Sequence, residues 1–346
     1  MSEKGTVLIT GLTGFLAGRV AEAALKTGYN VRGTVRDLEA GAEIRKALLE
    51  LGYKGDVELA KVPDMTEDGA FDEAVIGCTA ILHLAAPVRD TWTLEPPEVL
   101  RRGVNSTTGL LDSALNKAGP QLQSVVLMGS AAAIFDVPPK PGVYSEKNWN
   151  TTSEAAVAEL GKDAGGLQAY CASKTAGERA FWKFREEKKP AFSMTAVQAT
   201  YFNGPPLAPW KSKDQIPFSL GTFWKVLQGG EIPGSSLMYE GTVDVRDTAR
   251  VVVWSILNPK EADGERFLCA AATGGAQAIA DIVNKHIPSL GVAKGNPGQG
   301  YDPGYPSTSG NIAFDGSKAR AATEQDWIPF ETSVLDTAKF LARYLK

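Results

Sequence analysis

One stretch near the start of the chain decides the fold, and it reads Thr6-Val-Leu-Ile-Thr10-Gly11-Leu-Thr13-Gly14-Phe15-Leu16-Ala17. The β-branched, apolar run before Gly11 predicts a strand, the two glycines predict a tight turn, and a helix is expected from Phe15. Such a turn lets the backbone approach a phosphate, and the free N–H groups at the helix N-terminus attract the anion. We therefore interpret residues 6–17 as a dinucleotide-binding turn rather than an ordinary strand–helix connection.

The alternation of strand and helix continues through the first half of the chain, which is typical of βαβ units around a parallel sheet. The sequence predicts strands at Thr6–Thr10, Asn30–Val35, Val57–Val62, Ala80–Leu84, Ser124–Met128 and Ser193–Ala199. It predicts helices at Phe15–Thr27, Glu39–Leu51, Pro97–Ala118 and Gly166–Glu187. The expected fold class is therefore α/β, with a Rossmann-type, doubly wound parallel sheet.

The second half of the chain differs in composition. Pro, Gly and Trp are frequent in residues 203–241 and again in 296–306. Irregular segments on an α/β body commonly build a substrate pocket. We expect a dinucleotide-binding domain at residues 1–200 and a smaller, discontinuous C-terminal substrate lobe at residues 201–346, with segments that return to the main sheet.

The overall charge excludes several classes of partner. The 346 residues are 43% hydrophobic and carry a net charge of −4. There is thus no basic field to attract nucleic acid or anionic lipid, and the longest apolar runs are too short to span a bilayer. We expect a small-molecule partner, with no nucleic acid and no membrane, and a monomer or homodimer.

Cysteine and histidine usage predicts neither disulfides nor a metal centre. Cys78, Cys171 and Cys269 have spacings that match no disulfide framework or zinc site, and His83 and His286 are the two histidines. Three reduced thiols indicate a reducing compartment, so a cytoplasmic location is expected.

A catalytic pair is predicted at Tyr170-Cys-Ala-Ser-Lys174. Residues four apart share one face of a helix, so the phenol and the ammonium project together. Reduction of a carbonyl group needs a proton for the oxygen, and a nearby cation lowers the pKa of a phenol by stabilising its phenolate. We expect Lys174 to act in this way on Tyr170.

These motifs resemble the extended short-chain dehydrogenases/reductases. The run TGLTGFLA is similar to the TGxxGFxG motif of the family, with Ala17 replacing the third glycine. Tyr170 and Lys174 match its YxxxK, and Ser130 lies at its catalytic serine position. Matches extend along most of the chain and are strongest to fungal NADPH-dependent aldehyde/ketone (carbonyl) reductases and to dihydroflavonol-reductase-like enzymes.

The resemblance implies a role for each motif. Ser130 would hold the carbonyl oxygen, Tyr170 would donate the proton, and Lys174 would also reach the nicotinamide ribose. The cofactor-binding residues implied are Gly11, Thr13, Gly14, Phe15, Leu16, Arg36, Asp64, Ala85, Ala86, Pro87, Tyr170, Lys174 and Ala199.

The end of the second strand favours NADPH over NADH. An NAD-binding enzyme places a carboxylate there for the ribose 2′-hydroxyl, whereas a 2′-phosphate favours a guanidinium. In the family this acid follows the glycine before the strand by seven residues, and counting from Gly28 gives the apolar Val35, next to Arg36. Asp37 is two positions late and is expected to cap the next helix. Arg32 is a second, weaker candidate for the phosphate.

The substrate side is expected to be apolar. Candidate pocket residues are Ala132, Phe135, Tyr201, Phe202 and Trp224. Because these segments contain neither paired acids nor a basic cluster, we favour an uncharged or weakly polar ketone or aldehyde that is reduced to an alcohol.

Three alternatives stay open on the sequence. A sugar-nucleotide epimerase or dehydratase uses the same tyrosine and lysine, but Arg36 and the low basic content of the lobe argue against it. A non-catalytic NADP-binding regulator typically lacks the tyrosine or the lysine. A hydroxysteroid-type enzyme working in the oxidative direction is the third.

Overall fold

The structure is a computed structural model that describes residues 4–87, 91–232, 241–301 and 312–345. Its strands are β1 (Thr6–Ile9), β2 (Asn30–Val35), β3 (Val57–Lys61), β4 (Ala80–His83), β5 (Ser124–Met128), β6 (Gly142–Tyr144), β7 (Ser193–Ala199), β8 (Tyr201–Asn203), β9 (Gly241–Asp244), β10 (Arg266–Cys269), β11 (Ala272–Thr273) and β12 (Ile312–Phe314). Its helices are α1 (Phe15–Lys26), α2 (Leu38–Glu50), α3 (Asp72–Val75), α4 (Pro96–Lys117), α5 (Ser153–Leu160), α6 (Gly165–Lys188), α7 (Gly221–Leu227), α8 (Val245–Leu257), α9 (Pro259–Ala262), α10 (Ala276–His286), α11 (Ser317–Thr323) and α12 (Phe330–Leu341).

A parallel sheet of seven strands forms the centre of the molecule, in the order β10-β7-β5-β4-β1-β2-β3. This confirms the predicted Rossmann-type sheet, and every strand and helix predicted in the first half agrees with the structure within one residue at each end. The edge strand β10 comes from the second half of the chain and pairs with β7, with Arg266 opposite Ala196.

Helices cover both faces of the sheet. Val7 and Ile9 of β1 point into a core built with α1 and α8, whereas Leu8 points into the core on the other face, built with α4 and α6. This alternation follows from the two-residue period of a strand. Since both faces are buried, the central strands β1, β4 and β5 are mainly apolar, as expected for a parallel sheet. The edge strand β3 instead exposes Glu58 and Lys61.

The C-terminal lobe packs its own core from α7, α10 and α12. A small sheet of β11, β9 and β8 contacts this lobe through α12. The sheet of β12 and β6 instead packs through Phe314 and Tyr144 against Leu268 of β10. Strand β10 follows residue 200 and returns to the central sheet. Residues 233–240 and 302–306 of the Pro- and Gly-rich stretches lie outside the described residues.

The close approach of α4 and α6 positions the helix that carries Tyr170. A Cβ atom on Gly103 of α4 would collide with the hydroxyl of Ser173 and lie 3.1 Å from its carbonyl oxygen. A Cβ atom on Gly177 of α6 would lie 3.2 Å from the carbonyl oxygen of Gly103. The backbones of the two helices therefore approach each other closely beside Lys174.

We expect Gly103→Ala to lower the free energy of unfolding by about 1–3 kcal/mol, because overpacking displaces one helix from the other. Gly109→Ala on the same helix is the matched control, since its added Cβ would meet only the carbonyl oxygen of Glu67 at 3.9 Å. That change should raise the free energy by about 0.5–1 kcal/mol. Urea unfolding followed by circular dichroism measures both, and equal effects would contradict the packing argument.

Candidate active site

A cavity of about 1410 Å³ runs along the carboxyl ends of the parallel strands and under the C-terminal lobe. Open α/β sheets bind ligands at this edge, where the strand order reverses, which here lies between β1 and β4. All the predicted catalytic and cofactor-binding residues line the cavity: Gly11, Thr13, Gly14, Phe15, Leu16, Arg36, Asp64, Ala85, Ala86, Pro87, Ser130, Tyr170, Lys174 and Ala199.

The glycine-rich turn has the geometry that an anion site needs. Gly11 adopts a φ of +69°, and a Cβ atom on it would lie 3.0 Å from the Cβ atom of Ala85. Its N–H group donates to the hydroxyl of Thr34 at 3.0 Å. Gly14 is the N-cap of α1 and has no side chain to occupy the helix terminus. The helix N-terminus therefore faces the cavity.

Thr10 fixes the opposite wall of this crevice. Its hydroxyl oxygen accepts hydrogen bonds from the N–H groups of Leu84 and Ala85 at 3.0 and 2.9 Å. The same hydroxyl lies 3.0 Å from Nδ1 of His83. These bonds hold the segment after β4 against the turn after β1.

Ala17, at the third glycine position of the motif, is buried in the sheet core. The close approach is made by the next residue. A Cβ atom on Gly18 would lie 3.1 Å from the Cβ atom of Leu207 in the lobe. The departure from the family motif thus leaves a glycine where α1 meets the lobe.

The catalytic candidates converge on the cavity wall. Tyr170 Oη donates to Ser130 Oγ at 3.3 Å, although the two residues come from different elements. Ser130 ends the segment after β5 and caps a short 3-10 turn by accepting from the N–H group of Ala132. Lys174 follows Tyr170 by one turn of α6 and lines the same wall.

The pKa of Tyr170 differs from our expectation. Burial raises the pKa of Tyr170 above the ordinary value, and the hydrogen bond with Ser130 partly offsets this rise. The net lowering of the Tyr170 pKa that we expected is therefore not found, because desolvation of the phenolate is the largest influence on it. Burial also lowers the pKa of Lys174 to about 8, whereas Glu178 acts to raise it.

Arg36 and Asp37 behave differently at the end of β2. Arg36 is exposed at the rim of the cavity, and no acid pairs with it among the residues that the structure describes. The Asp37 carboxylate accepts from the N–H groups of Glu39 and Ala40 at 2.7 and 3.3 Å, so it caps α2 as predicted. The prediction of Arg32 as a second candidate for the 2′-phosphate is wrong. Arg32 pairs with Glu58 and donates to the carbonyl oxygen of Ala74, away from the cavity.

Asp64 is also held in the cavity wall. Arg102 of α4 pairs with it at 3.1 Å, and Thr66 donates to it from both its N–H group and its hydroxyl. The backbone hydrogen bond from Thr66 is the largest of the interactions that lower its pKa. The carboxylate is thus fixed at the carboxyl end of β3.

Most of the predicted pocket residues line the cavity. They are Ala132, Phe135, Tyr201 and Phe202, and Leu167 of α6 joins them. The prediction of Trp224 as a pocket residue is wrong. Trp224 packs against the core of the C-terminal lobe and is not among the described residues that line the cavity. The cause is the direction of α7, which packs against α10.

Sequence reasoning missed an aromatic pair at the cavity mouth. Trp92 and Phe218 are each 55% exposed, and their ring centroids lie 5.5 Å apart. Both line the cavity. The pair joins segments more than a hundred residues apart, so no local pattern could have indicated it.

The described part of the chain contains no cluster of three or more histidine, cysteine or acidic side chains that could hold a metal ion. Its three cysteines are free and buried, and burial raises the pKa of the Cys171 thiol to about 12. No helix in these residues combines the length and the apolar character needed to cross a bilayer.

Residues 7–270 match the NAD dependent epimerase/dehydratase family. The chain belongs to this family. Aldehyde reductase 2 of Sporidiobolus salmonicolor is 33% identical over 71% of each chain. The NADPH-dependent methylglyoxal reductase of Saccharomyces cerevisiae is 28% identical over 85% of this chain and 87% of that protein.

Solved structures of the family match over nearly the whole molecule. The yeast methylglyoxal/isovaleraldehyde reductase Gre2, complexed with NADPH, has a TM-score of 0.85 at 26% identity, with 98% of each chain covered. The predicted resemblance to extended short-chain reductases, and to fungal aldehyde reductases among them, is therefore confirmed. UDP-galactose 4-epimerase shares the fold at a TM-score of 0.66 and 18% identity.

Proposed function

We propose that this protein is an NADPH-dependent carbonyl reductase that converts a ketone or aldehyde to an alcohol. The observation that carries the proposal is the hydrogen bond of 3.3 Å between Tyr170 and Ser130 on the wall of the cavity that extends to the phosphate-binding turn. A proton donor and a hydroxyl partner for a carbonyl oxygen thus lie in one cleft with a dinucleotide site. The similar fungal proteins are named as aldehyde and methylglyoxal reductases.

The residues present fit the cofactor. The space in front of Gly11 would be closed by any side chain there, because an added Cβ would lie 3.0 Å from Ala85. Gly14 leaves the N-terminus of α1 open to a pyrophosphate, and Arg36 offers a guanidinium to a 2′-phosphate. Asp64, Ala85, Ala86, Pro87 and Ala199 would complete the binding surface. When bound, NADPH supplies the hydride.

The protein supplies the proton and the orientation of the substrate. Because the pKa of Tyr170 is raised, its hydroxyl keeps its proton at neutral pH and can give it to the substrate oxygen. Ser130 would donate to the same oxygen and hold it near the phenol. The ammonium of Lys174, one helical turn away, stabilises the phenolate that remains.

The substrate is proposed to be uncharged. Ala132, Phe135, Leu167, Tyr201 and Phe202 form the wall beyond Ser130. A sugar nucleotide would bring a diphosphate that requires cations. Among the residues that the structure describes, Lys211 is the cation of the lobe that lines the cavity, and it pairs with Glu43 at 3.3 Å. A cytoplasmic location and a monomeric or dimeric state stay predictions.

We expect Tyr170→Phe to lower kcat for carbonyl reduction by about 10²–10⁴-fold, because the proton donor is lost. NADPH binding, followed by fluorescence titration, should be nearly unchanged. The assay follows NADPH oxidation with neutral aldehydes, diketones, keto esters and aryl ketones. Loss of NADPH binding in the variant would instead indicate a structural role for the tyrosine.

Arg36→Ala should raise KM for NADPH by about 10–100-fold and leave KM for NADH nearly unchanged, because only NADPH loses a charge-assisted hydrogen bond. Lys46→Ala is the control, since Lys46 is an exposed cation of α2 outside the cavity lining. It should leave both constants unchanged. An equal response of the two cofactors to Arg36→Ala would refute the assignment of the 2′-phosphate.

A further inference from the structure

A second, small cavity of about 30 Å³ lies beside Lys174, among α4, α6 and the ends of β4 and β5. The polar side chains in its walls include His83, Ser106, Thr107, Lys174 and Glu178. The volume has room for a water molecule. The proposed function uses Tyr170 and Lys174 but leaves the other ionisable groups without a role.

Glu178 continues the catalytic series along α6. Tyr170, Lys174 and Glu178 are spaced four residues apart and therefore share one helix face. Glu178 is only 1% exposed. Its Oε1 atom accepts from Gln198 Nε2 at 2.6 Å and from Arg266 Nε at 2.6 Å. Its buried Oε2 atom has no hydrogen-bond partner in the described part of the chain.

Arg266 is held in place independently of Glu178. Its guanidinium lies 3.8 Å from the centroid of the Trp149 ring. It also donates to the carbonyl oxygens of Glu146 and Asn148. A buried ion pair is costly to desolvate, and well-packed apolar residues often replace one at no loss of stability. The buried pair of Glu178 and Arg266 is therefore not explained by stability alone.

Of the groups around Lys174, Glu178 is the acid that raises the pKa of its ammonium. On β4, burial lowers the pKa of His83 to about 3, so its ring is neutral. Ser106 and Thr107 of α4 are uncharged. Glu178 raises the pKa of Lys174 against the effect of burial, and Arg266 opposes the charge of Glu178 from β10.

We propose that Glu178, balanced by Arg266, is a positioning residue that keeps the ammonium of Lys174 charged and directed toward Tyr170. The inference rests on the proposed function, because it assumes that Tyr170 gives its proton to the substrate oxygen. Lys174 loses its proton before Tyr170 does, since the pKa of Lys174 is about 8 and that of Tyr170 is raised. Carbonyl reduction should therefore slow as pH rises through the pKa of Lys174.

The charges of Glu178 and Arg266 should have opposite effects on the alkaline limb of the pH profile, which is the range in which carbonyl reduction slows as pH rises. Removing the charge of Glu178 lowers the pKa of Lys174, so activity is lost at lower pH. Removing the charge of Arg266 leaves Glu178 unopposed, which raises the pKa of Lys174 and moves the loss of activity to higher pH. A merely structural role would instead reduce activity in both variants without opposite shifts.

The test compares Glu178→Gln and Arg266→Gln with wild type. Glutamine keeps the shape of Glu178 and can still accept from Gln198 and Arg266. Glu186→Gln, an exposed position on the same helix, is the matched control. The ionisation of Lys174 is followed by NMR with isotope-labelled lysine, assigned through Lys174→Arg, and kcat/KM for NADPH-dependent reduction is measured across pH.

We expect the pKa of Lys174 and the alkaline limb to fall together by about one pH unit in Glu178→Gln and to rise in Arg266→Gln. The control should superimpose on wild type. An unchanged NMR titration in Glu178→Gln overturns the inference, and so does a shifted titration with an unmoved alkaline limb. If Arg266→Gln does not fold, Glu178→Gln decides alone. A wild-type protein that reduces no carbonyl compound refutes the proposed function, whereas the NMR titration still reports on Glu178.

Discussion

The position of β1 between β2 and β4 is the constraint on which the site depends. From β1 the chain builds outward in both directions, with α1 and α2 on one face of the sheet and α3, α4 and α6 on the other. The connections therefore diverge and leave a crevice at the carboxyl ends of the strands. Gly11 and Ala85 face each other across this crevice so closely that only a glycine fits at the first position.

The lobe is tied to this crevice rather than attached beside it. The Phe15 ring, at the first residue of α1, makes edge contacts with Phe202 and Trp210 at 6.1 and 5.9 Å. Arg19 of the same helix donates to the carbonyl oxygen of Pro205 at 3.0 Å. Helix α1 thus follows directly on the glycine-rich turn and also contacts the lobe segment that lines the cavity.

Local sequence patterns were sufficient for the first half of the fold. Most predicted strands are buried and the helices turn apolar residues toward the sheet, so the apolar pattern specified their bounds within one residue. The turn at Gly11 and the pair Tyr170 and Lys174 were found for the same reason, because short-range spacing determines their geometry. The small strands β6 and β12 were missed, since each is stabilised by a partner from a distant segment.

The errors came from tertiary contacts. Arg32 alternates correctly with the apolar positions of β2, yet Glu58 on the neighbouring strand pairs with it. Trp224 lies in an aromatic-rich segment, but the packing of α7 turns it into the lobe core. The raised pKa of Tyr170 depends on its burial, which no spacing reveals. Glu178 could have been found from its four-residue spacing after Lys174, whereas Arg266 could not.

The origin of Arg266 in β10 has a consequence for biosynthesis. Ser130, Tyr170 and Lys174 are translated well before residue 266, and the edge strand β10 can join the central sheet only afterwards. During that interval Glu178 lacks the guanidinium with which it pairs in the folded protein. Helix α6 thus acquires this ion pair late in synthesis, and a fragment that ends before β10 would carry Ser130, Tyr170 and Lys174 without it.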